Sequence, residues 1–261
     1  MTQVTSPDGT TIAYDRLGAG TPLILVSGAS VHRRADAHIA EALAEAFTVY
    51  NYDRRGRGDS TDTQPFAVDR EIEDIGALLD AASHERGGAA LVGLSSGAVL
   101  AARAAAALPV SALVMWEPPF MTDDAGRARA EDYTRDLNAR LDAGDRDGAL
   151  ETFMRYVGVP DEAIAGARQS PYWPAGTALA PTLAYDDAAM GEGSVVPADV
   201  FGRITAPTLV LAGGASPEFL HAGARAAAEA IPDARLEVLE GQTHDVDAQV
   251  FAKALRGFFE V

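Results

Sequence analysis

Five consecutive residues, Gly93-Leu94-Ser95-Ser96-Gly97, carry the strongest chemical signal in the chain. A G-x-S-x-G run can present a serine hydroxyl as a nucleophile on a sharp turn. The pentapeptide alone is weak, so its flanks must carry the inference. A short apolar run of strand type precedes it, and helix-forming residues follow from Ala98 to Leu108 until Pro109 stops them. Strand, turn and helix are thus expected in sequence. Small residues on either side let helix and strand approach closely and leave the hydroxyl of Ser95 clear of the backbone. The same turn puts Ser95 at the positive end of the following helix, where developing negative charge is favoured. The competing readings are a plain Gly-Ser turn in a parallel α/β protein and a dinucleotide fingerprint; the latter needs G-x-G-x-x-G, which is absent here.

The elements that would hold such a turn follow from hydropathic period. Residues 2–16 read as a hairpin around Ser6-Pro7-Asp8-Gly9. Pro22–Val26 is a continuous apolar run, a strand covered on both faces, ending in the loop Ser27-Gly28-Ala29-Ser30. A helical stripe is expected from Arg34 to Phe47, a strand over 47–52 and a helix over 67–84, with Gly87-Gly88 releasing the chain into the serine-bearing strand. Between those elements lies Asp53-Arg54-Arg55-Gly56-Arg57-Gly58-Asp59-Ser60. It lacks the Lys-Ser/Thr of a phosphate loop, so a tight turn tied by Arg–carboxylate pairs is expected. Strand 112–116 then ends at Glu117-Pro118-Pro119, where two prolines forbid continuation as ladder or helix.

Residues 120–203 break the alternation. Helical runs near 123–143 and 145–157 are interrupted by Gly144 and several prolines, with aromatic and Met residues scattered among them. This predicts a helical cap inserted after the sixth strand, over a core of 1–119 and 204–261; an ordinary helical subdomain is the alternative. Alternation resumes with strand 207–212, helix 218–230, strand 236–239, the loop Glu240-Gly241-Gln242-Thr243-His244-Asp245 and a last helix. The expected fold is α/β, a mostly parallel sheet covered by helices on both faces, with reactive groups gathered at the strands' carboxyl ends.

Composition narrows the partners. With 261 residues, 48% of them hydrophobic, the chain can bury a large core. The balance of 21 basic against 38 acidic residues, net −17, argues against nucleic acid and anionic membranes and mildly against strongly anionic substrates. No cysteine is present, so thiolate nucleophiles, disulfides and Cys-based metal sites are excluded. No basic, apolar leader opens the chain and no run is long enough to span a bilayer, so a cytoplasmic location is expected. Oligomeric state leaves no mark on the sequence.

Across nearly its whole length the chain resembles the α/β-hydrolase superfamily. The residues that carry the resemblance are the Gly93–Gly97 turn after a strand, the 53–60 arginine turn, the Gly28 loop, the helical insertion and a late His244 before the final helix. The resemblance implies nucleophile, acid and histidine in that chain order; no cofactor and no metal are expected. His244 suits the base that takes the serine proton and returns it to the leaving group. Solvated or capping roles are expected for His32, His38, His84 and His221, although the first two sit near enough to the Gly28 loop to line a pocket. The oxyanion donors implied are the backbone N–H groups of Ala29 and Ser96.

The acid departs from the family pattern. Its usual place, after the strand at 207–212, aligns with Ala215, which cannot serve. Glu117 is the substitute, since some relatives, certain haloalkane dehalogenases among them, take their acid from that earlier strand. A structural Glu117 bonded to loop backbone remains a competing reading, and Glu218 and Asp245 are weaker candidates. The reaction expected is cleavage of a carboxylic ester or lactone of a small, neutral, fairly apolar substrate through an acyl-enzyme. A non-hydrolytic relative, either a cofactor-free lyase or cyclase or a small-molecule binder, is the alternative that Ala215 motivates.

Overall fold

Side-chain alternation along the central strands divides the core into two layers. The computed structural model describes residues 2–84 and 88–261, so Gly87 of the expected Gly87-Gly88 break lies outside the described residues. In β3 (Thr21–Val26), Ile24 and Val26 face one layer while Leu23 and Leu25 face the other. Leu91 and Val92 of β5 (Ala90–Leu94) divide in the same way, as do Met115 and Val114 of β6 (Leu113–Trp116). Burial of each such side chain contributes about 1.5–3 kcal/mol, so a one-residue slip of register would be very costly.

The remaining strands are β1 (Thr2–Thr5), β2 (Thr11–Leu17), β4 (Phe47–Tyr52), β7 (Thr208–Gly213) and β8 (Ala234–Leu239). They form one eight-stranded sheet in the order β1-β2-β4-β3-β5-β6-β7-β8. The hairpin strands pair antiparallel and the six from β4 to β8 pair parallel. Their carboxyl ends therefore share one edge of the sheet.

Helix α1 (Ala37–Leu43) packs on the layer of Leu23 and Leu25, and α2 (Val68–Ala82) and α3 (Ser96–Ala105) on the layer of Ile24 and Val26. Between β6 and β7 lie α4 (Asp124–Asp142), α5 (Arg146–Tyr156), α6 (Asp161–Ala167), α7 (Trp173–Leu179), α8 (Leu183–Met190) and α9 (Ala198–Phe201). Tyr133, Leu137, Leu150 and Leu183 give these helices a small core of their own. Asp123 and Asp145 cap α4 and α5 by accepting from the N–H groups of Gly126 and Gly148, each cap contributing about 1 kcal/mol. Helix α10 (Glu218–Ala230) joins the layer of α3, and α11 (Ala248–Phe259) that of α1. Among the described residues no helix is long and apolar enough to cross a membrane.

Two helices depart from their expected bounds. The helix expected over 34–47 spans only Ala37–Leu43: at its start Arg33 N–H donates to Asp53 Oδ1 at 2.7 Å and Asn51 Nδ2 donates to Arg33 O at 2.8 Å, so that carbonyl is not free to open a helix, and at its end Phe47 already belongs to β4. Helix α3 stops at Ala105 and not at Leu108, the chain leaving it through a turn in which the N–H groups of Ala107 and Leu108 both donate to Ala104 O.

The arginine turn after β4 is tied by Arg–carboxylate pairs, with the partners drawn from outside the turn. Its own carboxylates, Asp53 and Asp59, pair with Arg33. Arg54, Arg55 and Arg57 are fully buried and reach outward: Arg54 binds Glu71 with two 2.8 Å bonds, and Arg55 binds Asp74 with two more and Asp8 at 2.9 Å. Burial pushes the Asp8 carboxyl up, but the N–H and hydroxyl of Thr10 together with Arg55 outweigh it and hold the pKa at about 2. A depressed folded-state pKa stabilises the protein above the ordinary 3.8, and that contribution is lost as pH falls toward about 2. Asp8→Asn should therefore flatten the acid limb of the stability curve between those two values, as measured by urea midpoints at successive pH; an unchanged slope would contradict the pairing.

Candidate active site

The turn after β5 can form only because its flanks lack side chains. A Cβ on Gly93 would lie 2.4 Å from Ala98 Cα, and one on Gly97 would lie 2.3 Å from Val26 O. Ser95 between them has φ 55° and ψ −124°, a conformation sparsely populated by L residues, held in part by its N–H donating to Trp116 O at 2.9 Å. The hydroxyl-bearing residue thus stands at the end of β5 with α3 starting at the next position.

One strand along, Glu117 follows β6 with φ 42°, its N–H donating to Leu211 O at 3.0 Å. Its carboxylate is completely buried, with Oε1 accepting from Gly213 N–H at 2.7 Å and Oε2 lying 2.6 Å from Nδ1 of His244. Burial raises the Glu117 pKa, but the hydrogen bond from His244, the nearby Ser216 hydroxyl and the Gly213 N–H together hold it below its ordinary value. Ser216 Oγ itself makes no hydrogen bond of good geometry. The His244 loop is pinned from behind, since Trp116 Nε1 donates to His244 O at 3.0 Å. The His244 side chain is 47% exposed, open on the side away from Glu117.

Ser95, Ser96, Ala29 and His244 line one cavity of about 510 Å³. Its walls are largely apolar, with Met121, Phe153, Met190, Phe219 and Leu220 prominent. Among the described residues no hydrogen bond joins Ser95 Oγ to His244, and neither Ala29 N–H nor Ser96 N–H donates to a protein acceptor. A more open groove of about 610 Å³ between α4 and α5 shares Arg129, Tyr133, Arg155 and Tyr156 with this cavity but none of the four groups above.

The other sequence candidates lie elsewhere. Ala215 occupies the turn after β7, its N–H donating to Gln242 O at 2.8 Å. Glu218 pairs with Arg225 and Asp245 is exposed. His32 Nδ1 accepts from Arg34 N–H at 3.3 Å, His38 contacts Ala35 O at 3.1 Å, and neither lines the cavity; His84 is exposed and His221 sits on α10. Among the described residues no three His, Asp or Glu side chains converge so as to hold a metal ion.

Sequence reasoning missed Asp186. It lines the same cavity, is almost fully buried, and accepts from Arg54 at 2.5 Å, Arg57 at 2.6 Å and Ser96 Oγ at 2.9 Å. Burial raises its pKa, yet the two guanidinium charges and the Ser96 hydroxyl outweigh this and hold it below the ordinary range. A signal was present: Leu183, Asp186 and Met190 fall at i, i+3 and i+7, which puts a carboxylate on the apolar face of α8.

The close approach of turn and strand yields a direct test. Gly97→Ala should destabilise the protein by about 1–3 kcal/mol through overpacking against the Val26 and Ser27 carbonyls. Chemical denaturation measures this, and an unshifted midpoint would show that the turn has slack.

Comparison with known proteins agrees with this architecture. The sequence matches the profile of the alpha/beta hydrolase family over residues 23–254. A crystallised alpha/beta hydrolase from Sphaerobacter thermophilus is 46% identical, with 99% of this chain and 100% of that one covered at a TM-score of 0.87. A hydrolase from Pseudomonas aeruginosa is 25% identical over 100% and 98% of the two chains, TM-score 0.75. An esterase from Thermogutta terrifontis, 21% identical over 99% and 97%, shares the fold at 0.70. The chain belongs to the alpha/beta hydrolase family.

Proposed function

We propose that the protein is a serine hydrolase of carboxylesterase or lactonase type, cleaving a small, neutral, fairly apolar ester through an acyl-enzyme. The observation that carries the reading is the 2.6 Å contact between the buried Glu117 carboxylate and His244 Nδ1, on a histidine that shares a cavity with Ser95. A carboxylate at Nδ1 fixes that nitrogen as the proton-bearing one and leaves Nε2 free to accept. Ser95 Oγ attacks the ester carbonyl as its proton passes to His244, and the N–H groups of Ala29 and Ser96 receive the oxyanion. Collapse of the tetrahedral intermediate expels the alcohol, which takes the proton from His244. Water then attacks the acyl carbonyl as it loses a proton to His244, and collapse of this second intermediate breaks the bond to Ser95 Oγ, which takes the proton back from His244 as the acid leaves.

Apolar cavity walls favour a hydrocarbon acyl or alcohol portion, and the volume suits a small molecule. In this reading residues 120–203 act as the cap that supplies Met121, Phe153 and Met190 to those walls, while α10 supplies Phe219 and Leu220. The non-hydrolytic alternative was motivated by alanine at position 215; the contact of Glu117 with His244 supports the hydrolytic reading over it.

Two variants test the proposal. Ser95→Ala should lower turnover of p-nitrophenyl esters by about 10⁴-fold or more and abolish labelling by a fluorophosphonate. Glu117→Gln, which keeps the shape but not the charge, should lower kcat by about 10²–10⁴-fold while leaving the fold intact by circular dichroism. Wild-type turnover by the Ser95 variant would end the reading, and wild-type turnover by the Glu117 variant would remove Glu117 from it.

A further inference from the structure

The proposed mechanism asks for two N–H donors in fixed directions and does not itself say what aims them. Arg57, buried beneath the Gly28 loop, donates from Nη1 to Gly28 O at 2.6 Å and from Nη2 to Asp186 Oδ2 at 2.6 Å. Arg54 Nη1 reaches Ser27 O at 3.3 Å and Asp186 Oδ1 at 2.5 Å. Ser96 Oγ donates to the same Asp186 Oδ1 at 2.9 Å. One carboxylate on α8 thus grips both arginines under one half of the oxyanion site and the side chain of the residue that supplies the other half.

Peptide geometry makes this more than scaffolding. Gly28 C=O and Ala29 N–H belong to one planar group, which is trans, so they point in opposite directions. A guanidinium holding the carbonyl oxygen aims the Ala29 N–H away from Arg57, toward the cavity that Ala29 lines. The charge-assisted bond also polarises the peptide and strengthens the opposite N–H as a donor. We infer that Arg57, itself held by Asp186, is the positioning residue that aims and polarises the Ala29 oxyanion donor, and that Ser96 is tethered to the same carboxylate so that the two donors keep a fixed separation. The inference rests on Ser95 being the nucleophile.

The experiment reads the carbonyl stretch of the acyl group by infrared difference spectroscopy, using a slowly deacylating p-nitrophenyl ester with a ¹³C-labelled carbonyl, alongside kcat and KM. For Arg57→Met the expected result is a shift of the acyl-enzyme stretch to higher frequency, a fall in kcat of about 10²-fold and KM within about threefold of wild type. Arg57→Lys keeps the buried charge but, as a point donor, cannot hold Gly28 O and Asp186 in the same fixed fork; it should fall between Arg57→Met and wild type. It also serves as the test if the methionine variant does not fold. A folded variant whose stretch and kcat match wild type would overturn the clamp while leaving Ser95 in place. Failure of the wild-type enzyme to form any Ser95 adduct would overturn the nucleophile and the clamp together.

Discussion

A guanidinium buried without a counter-charge in hydrogen-bond reach costs several kcal/mol, and the turn after β4 buries three of them. Much of the structure around the cavity meets that demand. Helix α2 contributes Glu71 and Asp74, three residues apart and so on one face, the amino-terminal hairpin contributes Asp8, and α8 contributes Asp186. Arg54 and Arg57 with Glu71 and Asp186 form a buried set of two positive and two negative charges. Because the last partner sits between β6 and β7, satisfying those charges also seats α8 against α3 and closes one side of the cavity. Removing one member of such a set typically costs about 3–5 kcal/mol.

Strain is concentrated at the same edge of the sheet. Ser95 and Glu117 follow neighbouring strands and both have positive φ, at a cost of order 1–3 kcal/mol each. Each is held by a ladder bond to the next strand, Ser95 N–H to Trp116 O and Glu117 N–H to Leu211 O. In the proposed mechanism the acid stands at the end of β6 in place of β7, a displacement of one inter-strand spacing, about 4.8 Å. The extra methylene of glutamate over aspartate, with Gly213 N–H holding the second oxygen, fits the displaced carboxylate to the His244 loop. In the proposed mechanism the relocation preserves the polarity of the imidazole while changing the strand that supplies the charge.

Local pattern was enough for most of the elements. Apolar runs such as Pro22–Val26 and 112–116 could only be strands covered on both faces, and the helix at 218–230 lies where its periodicity placed it. Ser95 was legible because the two glycines around it answer to a short-range steric demand written in five residues. The start of α1 was not, since the side chains that claim the backbone of Arg33 come from Asn51 and Asp53, well outside the window that sets helical period.

Sequence by itself determined the order and type of the elements, the family and the turn that presents Ser95, because each depends on residues adjacent in the chain or recurring at a fixed period. Only the tertiary structure decided which carboxylate meets His244, 127 residues from Glu117, and which meets Arg54, 132 residues from Asp186. Pairings at that separation are chosen by which strand ends and helix faces the fold brings together, and nothing in local periodicity encodes them.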